Sequence, residues 1–305
     1  EIASCLVGSE MCIRDRIYKG ISYDKQYIEL CKRILNEGTL DQNPRPHYED
    51  GTPAHALTIF NHEMTIDENQ VPVLFSKKLF FKKAIEEVLW IWQQRSNKVA
   101  DLQKLNNKIW NEWEMDDGTI GKAYGYQLNK KVDNTNLNQV DHLIHKLKTD
   151  PESRRHIVTM WNVEEGHEMA LKPCVYETHW VVVNNKLNLK VMIRSNDCSL
   201  GNPFDIIQYW FLHKLIANEV NIEPGKIVFS ITIPHIYDRH IETIKEQIDR
   251  FEKLNKIDPV DQKEVTVKID DNASFDTVNW NDITVEGYNE FAGEPLKKYQ
   301  FEIAI

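Results

Sequence analysis

The sequence predicts a single α+β domain, a mixed β-sheet core covered by helices. Three observations carry this. Consecutive β-rich runs fill the centre, at 156–161, 176–183 and 187–193. Helical apolar periodicity brackets them on both sides. No repeat, low-complexity tract or linker divides the 305 residues. A chain of that length buries a sizeable core without disulfides or metals.

The elements follow in order. From Ser22, the residues Tyr27, Ile28, Leu30, Cys31, Ile34 and Leu35 form an apolar stripe, and Glu37-Gly38 supplies a C-cap signal. A loop rich in Pro, Asp and Gly covers 41–53. Residues 57–60 and 71–75 read as strands. Residues 80–94 read as a buried helix ending in aromatics, 99–110 as a second helix, and 136–148 as an amphipathic helix stopped by Asp150-Pro151. Asn184-Asn185-Lys186 joins two of the central strands as a hairpin signal. Then come a long apolar helix over 204–220, a strand over 227–233, a polar-faced helix over 240–254 and a strand over 265–269.

Composition excludes several function classes. The formal net charge is −10, whereas a general nucleic-acid binder carries a basic stripe. Polymer binding is therefore not expected. A small anionic ligand needs only a local Arg cluster. Mean hydropathy is −0.51, and no apolar run approaches the roughly 20 residues of a membrane span. No membrane partner is expected. The cysteines are five, at positions 5, 12, 31, 174 and 198. They form no CxxC, and no His pair stands at metal spacing, so no metal site is expected. The odd, patternless count points to a reducing, cytoplasmic compartment. Residues 1–17 contain CLVGSEMCIRDR, which has no sustained apolar core for a signal peptide. It is similar to translated adapter read-through at the ends of assembled environmental sequences. The expected division is a non-native leader over 1–17 and one catalytic domain over 18–305.

The chemistry centres on Lys172-Pro173-Cys174, just before an expected strand. A lone cysteine there is ordinarily a core residue. Its context changes that reading. Arg154-Arg155 lies upstream and Arg194-Ser195-Asn196-Asp197 downstream. A nearby arginine favours the nucleophilic thiolate, and paired arginines bind phosphate in a forked geometry.

The ordered motifs then carry a resemblance. Asp150-Pro-Glu-Ser-Arg-Arg-His-Ile-Val, Pro173-Cys174, Arg194-Ser-Asn-Asp-Cys-Ser-Leu-Gly-Asn-Pro-Phe-Asp-Ile and His235-Ile-Tyr237 resemble thymidylate synthase in order and spacing. The resemblance runs from about Tyr23 to Ile305. It includes Glu87 in Glu-Val-Leu-Trp, Ile109-Trp-Asn-Glu-Trp, Tyr124-Gly125 and the terminal Ala304-Ile305. Asn43-Pro-Arg-Pro-His-Tyr-Glu-Asp-Gly is similar to the phosphate loop of some bacterial members.

That resemblance implies a thymidylate-synthase-like fold, a homodimer, and 5,10-methylenetetrahydrofolate as cosubstrate. Cys174 would add to C6 of the pyrimidine. Arg45 and Arg194, with Ser195, would hold the 5′-phosphate, and Arg154 and Arg155 would reach it from the partner subunit. His235 and Tyr237 would bind the 3′-hydroxyl. Glu87 would organise water and move protons. Asp197, Trp110, Tyr124, Gly201 and the terminal Ala304 and Ile305 would face the folate, as would Lys77.

One departure selects the base. The family motif for dUMP ends in Asn, and here it reads Gly201-Asn-Pro-Phe-Asp205. Cytosine offers an amino donor at N4 and an unprotonated N3. A carboxyl group suits that edge, whereas an ionised Asp facing uracil O4 sets acceptor against acceptor. Unpaired buried polar contacts discriminate strongly. Asp at this position resembles the dCMP hydroxymethylases of bacterial viruses, which would place the enzyme in a host cytoplasm. The leading expectation is therefore dCMP hydroxymethylation, by water addition to the exocyclic methylene. The alternatives are dCMP methylation with hydride from the folate, and thymidylate synthesis from dUMP. Val175 stands where many synthases have His, Ile193 where Gln is frequent, and Asp238-Arg239-His240 is a further local variation. The intact Cys174, Glu87 and arginines argue against a catalytically dead scaffold.

Overall fold

The apolar stripe that opens the pattern winds into helix α1, described over 23–37. It buries Tyr23, Tyr27, Ile28, Cys31 and Ile34. The computed structural model describes residues 23–256, 265–270, 273–291 and 293–305; the expected leader lies outside them. Strands β1 (Thr39–Leu40), β2 (Ala56–Thr58) and β3 (His62–Ile66) come next, then helices α2 (Phe81–Trp92), α3 (Val99–Gln103), α4 (Gly125–Leu128) and α5 (Gln139–Thr149). The centre runs β4 (His156–Thr159), β5 (Val175–Val183), β6 (Lys186–Asp197), α6 (Gly201–Glu219), β7 (Glu223–Tyr237) and α7 (Ile241–Leu254). The chain ends with β8 (Thr266–Ile269), β9 (Ile283–Glu286), β10 (Glu290–Phe291) and β11 (Glu294–Pro295).

Among these elements, one seven-stranded sheet has the order β1-β2-β7-β6-β5-β4, with β3 also pairing β7. The β6–β7 pair is parallel and the others antiparallel. The sheet is mixed, as expected. The β5–β6 hairpin turns at Asn184 and Asn185, both left-handed at φ +53° and +58°. Asparagine tolerates that region, and two such residues match the twist of the flanking strands.

Helix α6 joins the two parallel strands, and α2 packs on it. Its face is almost wholly apolar, from Ile206 to Ala217. The register Ser195↔Ile233 and Asp197↔His235 brings the ends of β6 and β7 together. The polar Arg194–Asp197 run continues a strand that its hydrophobic pattern placed only to Ile193. Pairing with the 15-residue β7 extends it.

Two expectations need correction. Residues 72–75 are buried and Val71 half-buried, but none forms a strand. The Asp24 carboxylate accepts from the N–H groups of Phe75 and Ser76, replacing a ladder. The helix expected over 99–110 stops at Gln103. Asn106 turns left-handed at φ +56°, and the Asn107 amide donates to Lys83 O and Glu86. The chain is thereby bent toward α2. Strand β8 pairs with β9 in a separate two-stranded sheet, outside the main one. Strand β3 has no counterpart among the expected elements.

Candidate active site

Cys174 sits on the turn entering β5. Its N–H donates to Tyr124 Oη at 3.0 Å, and its carbonyl accepts from Arg194 N at 2.9 Å. The Arg194 guanidinium donates to Pro173 O at 2.9 Å and Lys172 O at 2.6 Å, and lies 4.0 Å from Sγ. Arg194 thus holds both the backbone before the cysteine and the thiol. A register shift between Val175 and Glu177 marks a bulge beside this turn, a frequent device for re-aiming a side chain.

The thiol state differs from expectation. Burial pushes Cys174 up to about 11. Arg194 pulls it down, but Asp205 and Asp197 push the same way as burial. Desolvation outweighs one guanidinium, so the resting group is the thiol.

Glu87 projects from α2 and is 7 % exposed. Its Oε1 accepts from Trp110 Nε1 at 2.8 Å, and its Oε2 from Gln208 Nε2 at 2.6 Å. Burial raises its carboxyl from 4.5 to about 7, against those two hydrogen bonds. A carboxyl poised there can accept and return protons near neutral pH.

Asp205 lies one turn into α6. Its Oδ2 accepts from Asn196 Nδ2 at 2.9 Å. Asn196 Oδ1 accepts from Asn202 Nδ2, and Asn202 Oδ1 from Tyr23 Oη. This amide chain fixes the carboxyl from the core outward. Burial, and then the Glu87 charge, hold Asp205 well above the usual carboxylate range. Both causes favour the protonated carboxyl, which has one O–H donor and remaining acceptor capacity. That changes the base argument. A neutral acid meets cytosine through N3 and N4–H, and it also meets uracil through O4 and N3–H. The acceptor–acceptor conflict with uracil belongs to the ionised form alone.

The aromatic wall is continuous. Trp110 packs 5.3 Å from the Tyr124 ring, 5.5 Å from Trp113 and 6.1 Å from Trp90. Tyr124 has φ +45°, a strained position for a bulky residue. The strain is held where its hydroxyl meets the nucleophile's backbone. Asp197 closes the turn that leads into α6, its two oxygens accepting from Ser199 N at 2.8 Å and Leu200 N at 3.3 Å, with lone pairs to spare. Gly201 is not sterically required, since an added Cβ there meets only Asp197 Cβ at 3.8 Å. Lys77 is turned inward. It donates to Ser199 O at 2.5 Å, and Tyr27 and Phe301 lie beneath its ammonium.

His235 and Tyr237 end β7 with rings 5.1 Å apart. Burial lowers His235, favouring neutral imidazole. Arg45 is exposed, and its charge acts on Tyr237. Ser195 lies beside Ile233 on the parallel pair. Ile305 exchanges two backbone hydrogen bonds with His47, at 2.9 and 2.7 Å, docking the terminal Ala304-Ile305 against the Arg45 loop. Arg154 and Arg155 are exposed before β4. The register Thr159↔Glu177 puts them at the opposite end of that strand pair from Cys174. At about 3.3 Å per residue the gap is roughly 20 Å, so these two arginines do not join the site within one chain.

Asn196, Asn202 and Gln208 went unrecognised in the sequence as site residues. Gln208 stands three residues after Asp205 on one helix, which was the available signal. Val175 and Ile193 are Cα partners across β5–β6 and are both buried. The two departures form one matched apolar pair. Among the described residues, no group of three or more His, Cys, Asp or Glu could hold a metal ion. No helix of theirs is long and apolar enough to cross a membrane.

Comparisons with known proteins bear on the family and the fold. A family model described as thymidylate synthase matches residues 25–302. Thymidylate synthase 1 of Bacillus spizizenii is 48% identical over 234 residues, covering 75% of this chain and 84% of that protein. The thymidylate synthase of Bacillus phage phi3T is 47% identical over the same length and shares. The solved thermostable thymidylate synthase A from Bacillus subtilis superposes with a TM-score of 0.82 at 40% identity. It covers 93% of this chain and 99% of its own.

Proposed function

The chain belongs to the thymidylate synthase family, and on that premise we propose that it methylates C5 of a pyrimidine deoxynucleotide, taking dCMP in preference to dUMP. One-carbon transfer from methylenetetrahydrofolate is the family's chemistry; the choice of base and product is our reading. The observation that carries it is the Asp205 carboxyl, held by Asn196 where the family's dUMP motif has Asn.

Cys174 adds through Sγ to C6 and gives its thiol proton through water to the Glu87 carboxylate as the S–C bond forms; loss of the C5 proton after carbon transfer and final cleavage of the S–C6 bond return the free thiol. Asp205 passes its proton to N3 and accepts from N4–H. C5 then becomes electron-rich and attacks the carbon donor. The folate supplies the one-carbon unit and, for a methyl product, the hydride. Glu87 takes and returns protons through water. Trp110, held by Glu87 and three neighbouring rings, excludes water from the reacting carbon. That favours methyl over the hydroxymethyl product expected from Asp205 alone, and the relatives' names point the same way. Arg154 and Arg155 serve a partner subunit's site, in a homodimer.

A second reading is thymidylate synthesis from dUMP. It is favoured by the relatives' names and by the burial that favours a protonated Asp205, a form that accommodates uracil.

The test is incubation with methylenetetrahydrofolate and either dCMP or dUMP, with product mass and dihydrofolate absorbance followed together. Methyl-dCMP with dihydrofolate is expected. Methylation of dUMP with dCMP inert overturns the base assignment. Hydroxymethyl-dCMP without dihydrofolate overturns the methyl assignment.

A further inference from the structure

The three residues after Tyr237 form a single 3-10 turn, Asp238–His240, and they have no part in the chemistry above. Their contacts are unusually divided. Arg239 Nη2 donates to Asp50 Oδ2 at 2.8 Å and Thr52 Oγ1 at 2.5 Å, both in the loop that carries Arg45. Arg239 Nη1 donates to Glu302 Oε1 at 2.7 Å, in the C-terminal segment. The guanidinium lies over the Tyr48 ring, 4.0 Å from its centroid. Tyr48 Oη in turn donates to Asp238 Oδ1 at 2.5 Å. His240 reinforces the far side. Its Nε2 lies 2.8 Å from the Glu302 carbonyl, and its ring packs on Phe301 at 5.0 Å. The loop and the terminus also meet directly, through the His47–Ile305 pair.

A single exposed ion pair contributes little. Here one planar fork engages two segments and an aromatic face at once, a geometry that lysine cannot copy. We propose that Arg239 is a positioning residue that latches the Arg45 loop to the C-terminal segment, so that ordering either one orders the other. This rests on the proposed placement of the nucleotide phosphate at Arg45 and of the folate at the C-terminus. The consequence is coupling. A nucleotide that orders the loop prepares the tail for the folate, and the folate tightens the nucleotide by the same factor.

The test uses the full chain and two readouts. Carboxypeptidase release of Ile305 and Ala304 reports tail docking without any turnover. Steady-state KM values for nucleotide and methylenetetrahydrofolate report the coupling. Arg239→Ala and Arg239→Lys should both release the tail about tenfold faster than wild type and lose the protection that added dCMP gives. Both should raise the two KM values, by about five- to tenfold, with kcat less affected; coupling between sites is commonly of this size. Asp50→Asn and Glu302→Gln, at exposed positions, should each mimic part of the effect and add nothing in the Arg239→Ala background. Wild-type tail release in Arg239→Ala, full rescue by lysine, or strict additivity of Asp50→Asn with Arg239→Ala overturns the latch. Absence of turnover with either nucleotide, alongside altered tail release, overturns the functional reading and leaves the latch standing.

Discussion

The two sides of this site are built on opposite terms. The side proposed to do the chemistry is internal. Cys174, Glu87 and Asp205 come from the turn entering β5, from α2 and from α6, and each is held by side chains of the same chain. The side that would bind phosphate is external. Arg45, Arg154 and Arg155 are exposed, and two of them sit roughly 20 Å of strand away from the nucleophile. Burial tunes protonation on the first side. On the second it would cost the hydration of several cations, so their charge stays in water until an anion or a second subunit arrives. Reactivity is thus pre-set in one chain, and affinity is left to be completed.

The comparison can be broken most severely at the nucleophile. Cys174→Ser should abolish product formation, by roughly 10⁴-fold or more in kcat, with circular dichroism unchanged. Nucleotide binding measured by calorimetry should survive, because the arginines are untouched. Loss of binding as well would mean that the two sides are not separable.

The base-reading residue comes next. Asp205→Asn should move the ratio of kcat/KM for dCMP over dUMP toward dUMP by on the order of 10³-fold. An unchanged ratio would place base selection elsewhere.

Glu87→Gln should lower kcat by about 10² to 10⁴-fold. It should also erase the inflection near pH 7 that the raised Glu87 carboxyl puts into the wild-type rate profile. The stability sign follows from the same shift. The folded state holds this proton up to about pH 7, while the unfolded chain releases it near 4.5. Stability contributed by the neutral form is therefore lost as pH rises through that window. The wild-type melting temperature should fall relative to Glu87→Gln between about pH 5 and 7. Parallel curves would show that Glu87 titrates as an ordinary carboxyl.

The smallest effect belongs to the external side. Arg154→Ala and Arg155→Ala should raise nucleotide KM by about tenfold each, with kcat nearly constant, since phosphate contacts act mainly as uniform binding. Mixing Arg155→Ala with Cys174→Ser subunits should restore part of the lost activity, because one site then draws good parts from both chains. No restoration would confine each arginine to its own chain.

How much was legible depended on whether a signal was contiguous. The hairpin asparagines, the apolar α6 and the Pro-Cys turn could be read because each is a short run with its own local physics. The segment 71–75 was misread as a strand, since buried apolar residues look alike whether a ladder or the Asp24 carboxylate satisfies their backbone. The last residues of β6 were missed because their pairing, not their polarity, makes them a strand. Asn196 and Gln208 were passed over because an amide shows its role only when its partner is known.

The sequence by itself determined which groups are present and in what order: the nucleophile, two carboxyls, the arginines and the aromatic wall. These are covalent facts, and their motifs are local. The tertiary structure alone decided their states. Burial pushes the Cys174 thiol up to about 11, poises Glu87 at about 7 and shifts Asp205 toward its protonated form. Arg239 joins two segments from opposite ends of the chain. Protonation follows desolvation and field, and both are set by residues that only folding brings near.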